Sequence, residues 1–298
     1  MITRETHSHR KVKARIQKRG DTNTHNMICA MMHKDEEAQS NIQPTDCTDS
    51  ELPQQIEGSP ELRKAQQDLC KQYQDCFSSK LRLEAANVPP MKLQVADMWQ
   101  SRENKRSPRP QSRLKEQEIE EQTQQMLQAN VIRLSTASAH SQVLLVPKPD
   151  GTWRFCVDFR RLNESTDAER WPIPNIKQML QRVGDKKPRF FGVLDLTKGY
   201  YQTPLAEGSK HYTAFITAKA LYEWNRVPMG LMGAPAYFQR TMTTLVLQGL
   251  MYNACEVYMD DIIIFGQTEE EYLQNLKKVL DRLRRHKLTC NPKKTKLG

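Results

Sequence analysis

The stretch Tyr258-Met259-Asp260-Asp261 constrains this chain more than any other. Val257, Tyr258 and Met259 are apolar on one side of it, and Ile262, Ile263, Ile264 and Phe265 on the other. Two β-rich runs separated by a two-residue polar step predict a hairpin with the carboxylates at its tip. Adjacent like charges between buried strands repel and are costly to desolvate unless a cation shares them. An isolated Asp-Asp is more simply read as a solvated turn, because turns attract Asp for local reasons. The neighbouring sequence has to decide between the two readings.

The 298 residues suffice for one large or two ordinary domains, and a formal charge of +10 favours a polyanionic partner. A hydrophobic content of 38% is low for this length, so part of the chain is expected not to pack. No apolar run approaches the ~20 residues of a membrane span, and Met1 to Arg10 has no signal-peptide core. The expectation is an intracellular protein without a membrane partner. The seven cysteines form no CxxC pair and read as reduced thiols.

Residues 1–60 are polar and aperiodic and read as an unpacked tail. Lys11, Lys13, Arg15, Lys18 and Arg19 form a basic patch there. His25, Cys29 and His33 have the spacing of ligands on one helix face, with Cys47 as the nearest fourth. Residues 61–112 read as a short helix, Leu62 to Phe77, and a Pro-rich linker, Asn87 to Gln111. Ser112 is positioned to cap a helix to about Ala129, with Ile119, Met126 and Leu127 on its apolar face. Val143 to Val146 and Trp153 to Phe159 predict a second hairpin, whose turn uses Gly151 for positive φ. Its Lys148 and Arg154 can clamp a triphosphate, or stand as a solvated lysine and an arginine stacked on Trp153.

Pro172 to Val183 predicts a helix with Ile176, Met179 and Leu180 inward. Phe190 to Leu194 predicts a buried strand ending at Asp195, which is either a helix N-cap or a partner for Asp260. Gly230 to Met242 opens as a Gly-rich loop and continues as a helix with Pro235 in its first turn. Thr268 and Glu271 form a capping box for the last helix, whose buried stripe is Leu273, Leu276, Leu280 and Leu283.

These motifs occur in a fixed order. VPKPDGTWRFCVDFRRLN (146–163), FFGVLDLTKGYYQ (190–202), TAFITAKALYEWNRVPMGLMGAPAYFQRTM (213–242), YMDDIIIFG (258–266) and HKLTCNPKKTKLG (286–298) together resemble the reverse transcriptase of gypsy-like long-terminal-repeat retrotransposons. The resemblance covers about 60% of the chain, residues 113–298. It implies an α+β right-hand polymerase, with fingers and an antiparallel palm sheet backed by helices. It implies further that Asp195 and Asp260 bind two divalent ions, Mg²⁺ with Mn²⁺ as an alternative. Asp261 then assists and the Leu196 carbonyl contributes. By the same resemblance Tyr200 blocks a ribose 2′-hydroxyl, while Lys148 and Arg154 meet the triphosphate. Met229 and Gly230 fall in the nucleotide-pocket loop, and Gln239 on the helix that follows.

Ala220, Met229 and Tyr201 depart from residues common in the family, and none of the three removes a metal ligand. The chain stops at Gly298, ahead of the family's primer-grip hairpin and thumb, which reads as a piece of a polyprotein with a truncated thumb. The expected function is an RNA-directed DNA polymerase core acting on an RNA or DNA template-primer and deoxynucleoside triphosphates. A non-catalytic remnant with at most nucleic-acid binding is the alternative. An RNA-dependent RNA polymerase is a third reading, which Tyr200 and the motif spellings disfavour.

Overall fold

The structure, a computed structural model, describes residues 44–45, 51–100, 102–149 and 151–298. The chain divides into Met1–Ala38 and Gln39–Gly298, and every described residue belongs to the second unit. The basic patch and the His25, Cys29, His33 and Cys47 set lie outside the described residues.

In chain order the principal elements are strand β1 (Gln55–Ile56), helix α1 (Pro60–Gln72), helix α2 (Arg113–Gln128), and strands β2 (Ile132–Leu134), β3 (Ser141–Pro147) and β4 (Trp153–Val157). Helix α3 (Ile176–Asp185), strands β5 (Phe190–Asp195), β6 (Phe215–Ile216) and β7 (Leu221–Trp224), and helix α4 (Ala234–Thr241) follow. The chain closes with β8 (Cys255–Tyr258), β9 (Asp261–Gly266), helix α5 (Glu269–Arg285) and β10 (Lys296–Leu297). One five-stranded sheet has the order β2-β7-β6-β3-β4 and the other β8-β9-β5-β10-β1. No helix among the described residues is long and apolar enough to cross a membrane.

The second sheet carries the Asp-Asp turn. Three of its four pairings are antiparallel, and only the edge strand β1 runs parallel to its neighbour. Strand β9 is buried along its whole length, which explains a β-branched run without polar alternation. Helix α5 covers one face. Thr268 caps it by accepting from Glu271 N at 3.2 Å, while Glu271 accepts from Gln267 N at 2.7 Å. The inward stripe is Tyr272, Leu276, Val279, Leu280 and Leu283, with Leu273 only partly buried. Two glycines explain this difference from the leucine stripe read in the sequence. A Cβ at Gly266 would stand 2.5 Å from Tyr272 N, and one at Gly192 would stand 2.6 Å from Tyr272 Oη. The bare backbone at these two positions lets the helix sit close enough for a whole tyrosine to enter.

The expectation for the N-terminal residues stops short of the fold. Gln55–Ile56 adds the edge strand to the sheet, and Ser59 caps α1 by accepting from Leu62 N at 3.1 Å. Helix α1 then lies on α5. Tyr73 donates to Asp281, and the Arg284 guanidinium stands 4.1 Å from the Tyr73 ring centroid. The Pro-rich segment is likewise stitched down. Met91 N donates to Pro204 O at 3.0 Å, Ala206 N donates to Met91 O at 2.8 Å, and Met91, Leu93 and Trp99 are buried. Ser112 occupies the N-cap of α2 without a side-chain hydrogen bond to the helix. Helix α3 starts later than expected, capped by Asn175, and buries Met179 and Val183.

The first sheet holds the second hairpin, with Pro147 opposite Trp153 and Gly151 at φ 81 as the turn requires. Its core is aromatic. Phe215 stands 5.6 Å from Phe155 and 5.7 Å from Trp224, and Tyr201 stacks on Trp224 at 5.3 Å. Since Tyr201 follows Tyr200, this stack ties the first sheet to the segment beyond β5. Gly266→Ala is expected to lower stability by about 1–3 kcal/mol, the usual range for overpacking a tight contact. Gly208, with open space where a Cβ would go, is the control. Urea unfolding of both alanine variants checks it, and equal stability would contradict the close approach of α5.

Candidate active site

The ladder between β5 and β9 sets the site. Asp195 is the last residue of β5 and pairs directly with Asp261, the first of β9. Asp261 also pairs with Tyr258 across the hairpin, which leaves Met259 and Asp260 as a two-residue tip. Asp195 and Asp261 are 7% and 2% exposed, whereas Asp260 is half-buried. Just past the ladder, Leu196 N donates to Asp260 O at 2.8 Å, which draws the Leu196 peptide against the tip. Gly199 completes the approach, since a Cβ there would meet Asp260 Cβ at 3.1 Å.

The tip is held in an uncommon conformation. Met259 has φ 55, a region that costs a non-glycine residue about 1 kcal/mol or more. Gln239, 1% exposed on α4, compensates. Its Oε1 accepts from Met259 N at 2.9 Å and its Nε2 donates to Val257 O at 3.0 Å. Gln239, expected to line the nucleotide pocket, therefore has its carboxamide engaged with the hairpin backbone and acts here as the clamp of the turn.

Tyr200 lies beside this tip. Its hydroxyl donates to Met259 Sδ at 3.2 Å, and its ring meets Phe238 edge-on at 5.2 Å. Burial, and then the charges of Asp260 and Tyr258, push its phenol well above the ordinary range, so it is neutral at any working pH.

Lys148 is 6% exposed although it starts a hairpin turn. Its charge is felt by Lys198, three residues after Asp195, whose amine is brought down to about 8 by burial first and by Lys148 second. Lys198 was missed in the sequence, where a lysine before a glycine in a turn carries no signal of its own. Arg154 stands on β4 opposite Val146, with its charge acting on the Cys156 thiol, and Lys115 Nζ lies 5.1 Å from the Trp153 ring centroid. Met229 packs partly into the core, and Gly230 at φ 92 turns the loop outward. Asn163 holds that loop from the end of the second hairpin motif. Its Nδ2 donates to Gly230 O at 2.9 Å and its Oδ1 accepts from Met232 N at 2.9 Å. The motif contained Asn163, yet only the fold reveals what it grips.

Among the described residues no group of three or more His, Cys, Asp or Glu forms a ready cage for a metal ion. The donor set still suits a hard cation. Mg²⁺ is usually held by one or two carboxylates together with waters and substrate phosphates, not by an all-protein cage. Asp195 and Asp261 face each other on adjacent strands, and Asp260 and the Leu196 main chain lie alongside.

The sequence model of the family described as reverse transcriptase (RNA-dependent DNA polymerase) matches residues 146–298. The chain is 33% identical over 244 residues to a retrovirus-related Pol polyprotein from transposon 412 of Drosophila melanogaster, covering 79% of this chain and 19% of that one. It is 35% identical over 168 residues to the Pol polyprotein from transposon gypsy of the same organism, covering 54% and 16%. It thus spans less than a fifth of these relatives. Among solved structures it is similar to the prototype foamy virus protease-reverse transcriptase, with TM-score 0.68 and 23% identity over 82% of this chain and 32% of that one. The foamy viral enzyme in complex with an RNA/DNA hybrid gives TM-score 0.65 and 22% identity over the same shares. The likeness establishes the α+β polymerase fold.

Gln239→Leu should leave two backbone groups without their partners, the buried Val257 carbonyl, worth about 1–3 kcal/mol, and the half-buried Met259 amide. The expected result is lower stability and faster amide exchange at Met259. Unchanged exchange there would contradict the clamp.

Proposed function

The chain belongs to the reverse transcriptase (RNA-dependent DNA polymerase) family, and from that premise we propose that residues 113–298 form the fingers and palm of an RNA-directed DNA polymerase. The observation that carries this reading is the pairing of Asp195 with Asp261 at a hairpin tip that also presents Asp260. The proposed substrates are a primer annealed to RNA or DNA and deoxynucleoside triphosphates. Support comes from the net charge of +10 and from the foamy viral enzyme's complexes with an RNA/DNA hybrid and with double-stranded DNA.

Asp195, Asp260 and the Leu196 carbonyl, with Asp261 beside them, are the groups to hold two Mg²⁺ ions. When bound, such ions activate a hydroxyl nucleophile and neutralise charge on a transferring phosphoryl group. Lys148 and Arg154 carry the positive charge to meet the triphosphate, an interaction stronger than a neutral hydrogen bond. Tyr200, neutral and braced by Phe238 and Met259, offers a fixed wall beside the carboxylates. Such a wall selects by clashing with a ribose 2′-hydroxyl and not by better contacts to deoxyribose. Asn163 and Gln239 orient the pocket loop and the hairpin tip from behind.

Primer extension on an RNA template by the full chain tests the reading. Asp195→Asn and Asp260→Asn are expected to lower incorporation by on the order of 10²–10³-fold. Neither should lower the melting temperature, because neutralising one of several like charges relieves repulsion. Incorporation at the wild-type rate in either variant would contradict the assignment.

Tyr200→Ala is expected to admit ribonucleotides with deoxynucleotide use largely kept, and Tyr200→Phe to stay selective because the ring, not the hydroxyl, fills the space. Incorporation of both sugars opposite one template base measures this. A wild type that prefers ribonucleotides would instead favour an RNA polymerase.

A further inference from the structure

Beyond Asp195 the palm ladder ends, and the next peptide groups need partners of another kind. Three segments of the chain meet there, residues 78–87, 196–206 and 286–291. Asn291 N donates to Asp195 O at 2.7 Å, Thr197 N donates to Thr289 O at 3.0 Å, and Ser78 N donates to Cys290 O at 3.0 Å. The Thr197 hydroxyl donates to Ser78 O at 2.6 Å.

One side chain joins the meeting point. Gln202, 4% exposed, donates from Nε2 to Thr197 O and to Thr289 O, both at 2.8 Å. Its Oε1 accepts from Thr289 N at 2.7 Å and from Thr289 Oγ1 at 3.2 Å. Its own carbonyl accepts from Ala86 N at 2.7 Å. A primary amide has two donor hydrogens and two acceptor lone pairs, and here all four are used. Glutamate has the length but no N–H, and asparagine has the N–H but one methylene less. The bond from Gln202 back to Thr197 closes the turn that carries Lys198 and Tyr200. Arg226, 2% exposed, adds a second tie by donating to Tyr201 O at 3.2 Å and to Leu83 O at 2.6 Å.

We propose that Gln202 is a positioning residue of the catalytic centre: its carboxamide locks the Tyr200 turn to the segment 286–291 behind Asp195, and so fixes where the nucleotide's sugar must lie. A buried glutamine that only satisfied its own amide would affect stability alone. A lock on the turn also affects sugar selection, a ratio that does not depend on how much of the protein is folded. This consequence rests on the polymerase reading, whereas the lock itself does not.

The test uses the full 298-residue chain, with Gln202→Met as the isosteric variant and Gln66→Met as the control. Gln66 is also fully buried, but its amide donates to Tyr272 Oη on α5, away from the turn. Amide exchange is read at residues 196–203 and 286–291, and selectivity as the ratio of kcat/KM for deoxy- and ribonucleotides. Gln202→Met, which removes all four carboxamide hydrogen bonds, is expected to speed exchange in both segments by at least on the order of 10-fold, the effect of losing one ordinary bond. It is also expected to lower sugar discrimination on the order of 10–100-fold. Gln66→Met should change neither readout. Unchanged exchange at 286–291, or wild-type discrimination in an active Gln202→Met, would overturn the proposal. Should Gln202→Met not fold, Gln202→Asn replaces it under the same criteria. A wild type without any incorporation would refute the polymerase reading, and the exchange data would still decide whether the lock exists.

Discussion

Two carboxylates face each other across an antiparallel ladder, and the rest of the structure depends on that pairing. Like charges directly opposite in a sheet are destabilising, and here both Asp195 and Asp261 are buried. The fold keeps them together by burying Ile262, Ile263 and Ile264 completely and pressing α5 onto glycines at positions 192 and 266. Apolar packing, which has no preference about charge, thus holds an arrangement that electrostatics alone would open. Such stored repulsion is the sort of local cost that binding sites retain and that a cation relieves.

Around this pair each neighbour corrects one degree of freedom. Gln239 fixes the left-handed Met259, Met259 and Phe238 brace Tyr200, and Asn163 ties the Gly230 loop to the end of the second hairpin motif. The charge of Lys148, at the start of the second hairpin's turn, reaches Lys198, three residues after Asp195. The N-terminal residues belong to this framework. Residues 76–91 bond to both the segment after Asp195 and the segment before β10, so the working unit begins well upstream of residue 146, where the family match starts.

What could be read from the sequence was what repeats locally. The hairpin at Asp260, the strand ending at Asp195, the turn at Gly151 and the capping box at Thr268 follow from apolar runs, glycine and caps a few residues apart. The N-terminal strand is two residues long and gains its partner from β10, 241 positions away in the sequence, so no local pattern marks it. The α5 stripe shifted to Tyr272 because two glycines on other strands made room for it. Gln202, Gln239 and Asn163 are polar residues inside motifs, and nothing in their own sequence neighbourhood distinguishes a nucleotide contact from a grip on distant backbone. For Gln239 the structure shows such a grip on the hairpin backbone.

On the proposed reading, the ladder brings Asp195, Asp260 and Asp261 together to bind divalent cations for nucleotidyl transfer. Mn²⁺ binding, followed by loss of the free-ion electron paramagnetic resonance signal, tests it most directly. The full chain is titrated with a primer-template and a non-hydrolysable deoxynucleoside triphosphate present. The account predicts binding of about two ions per assembled complex beyond the level of nucleotide and duplex alone, lost in Asp195→Asn. Equal Mn²⁺ binding by wild type and Asp195→Asn would contradict it.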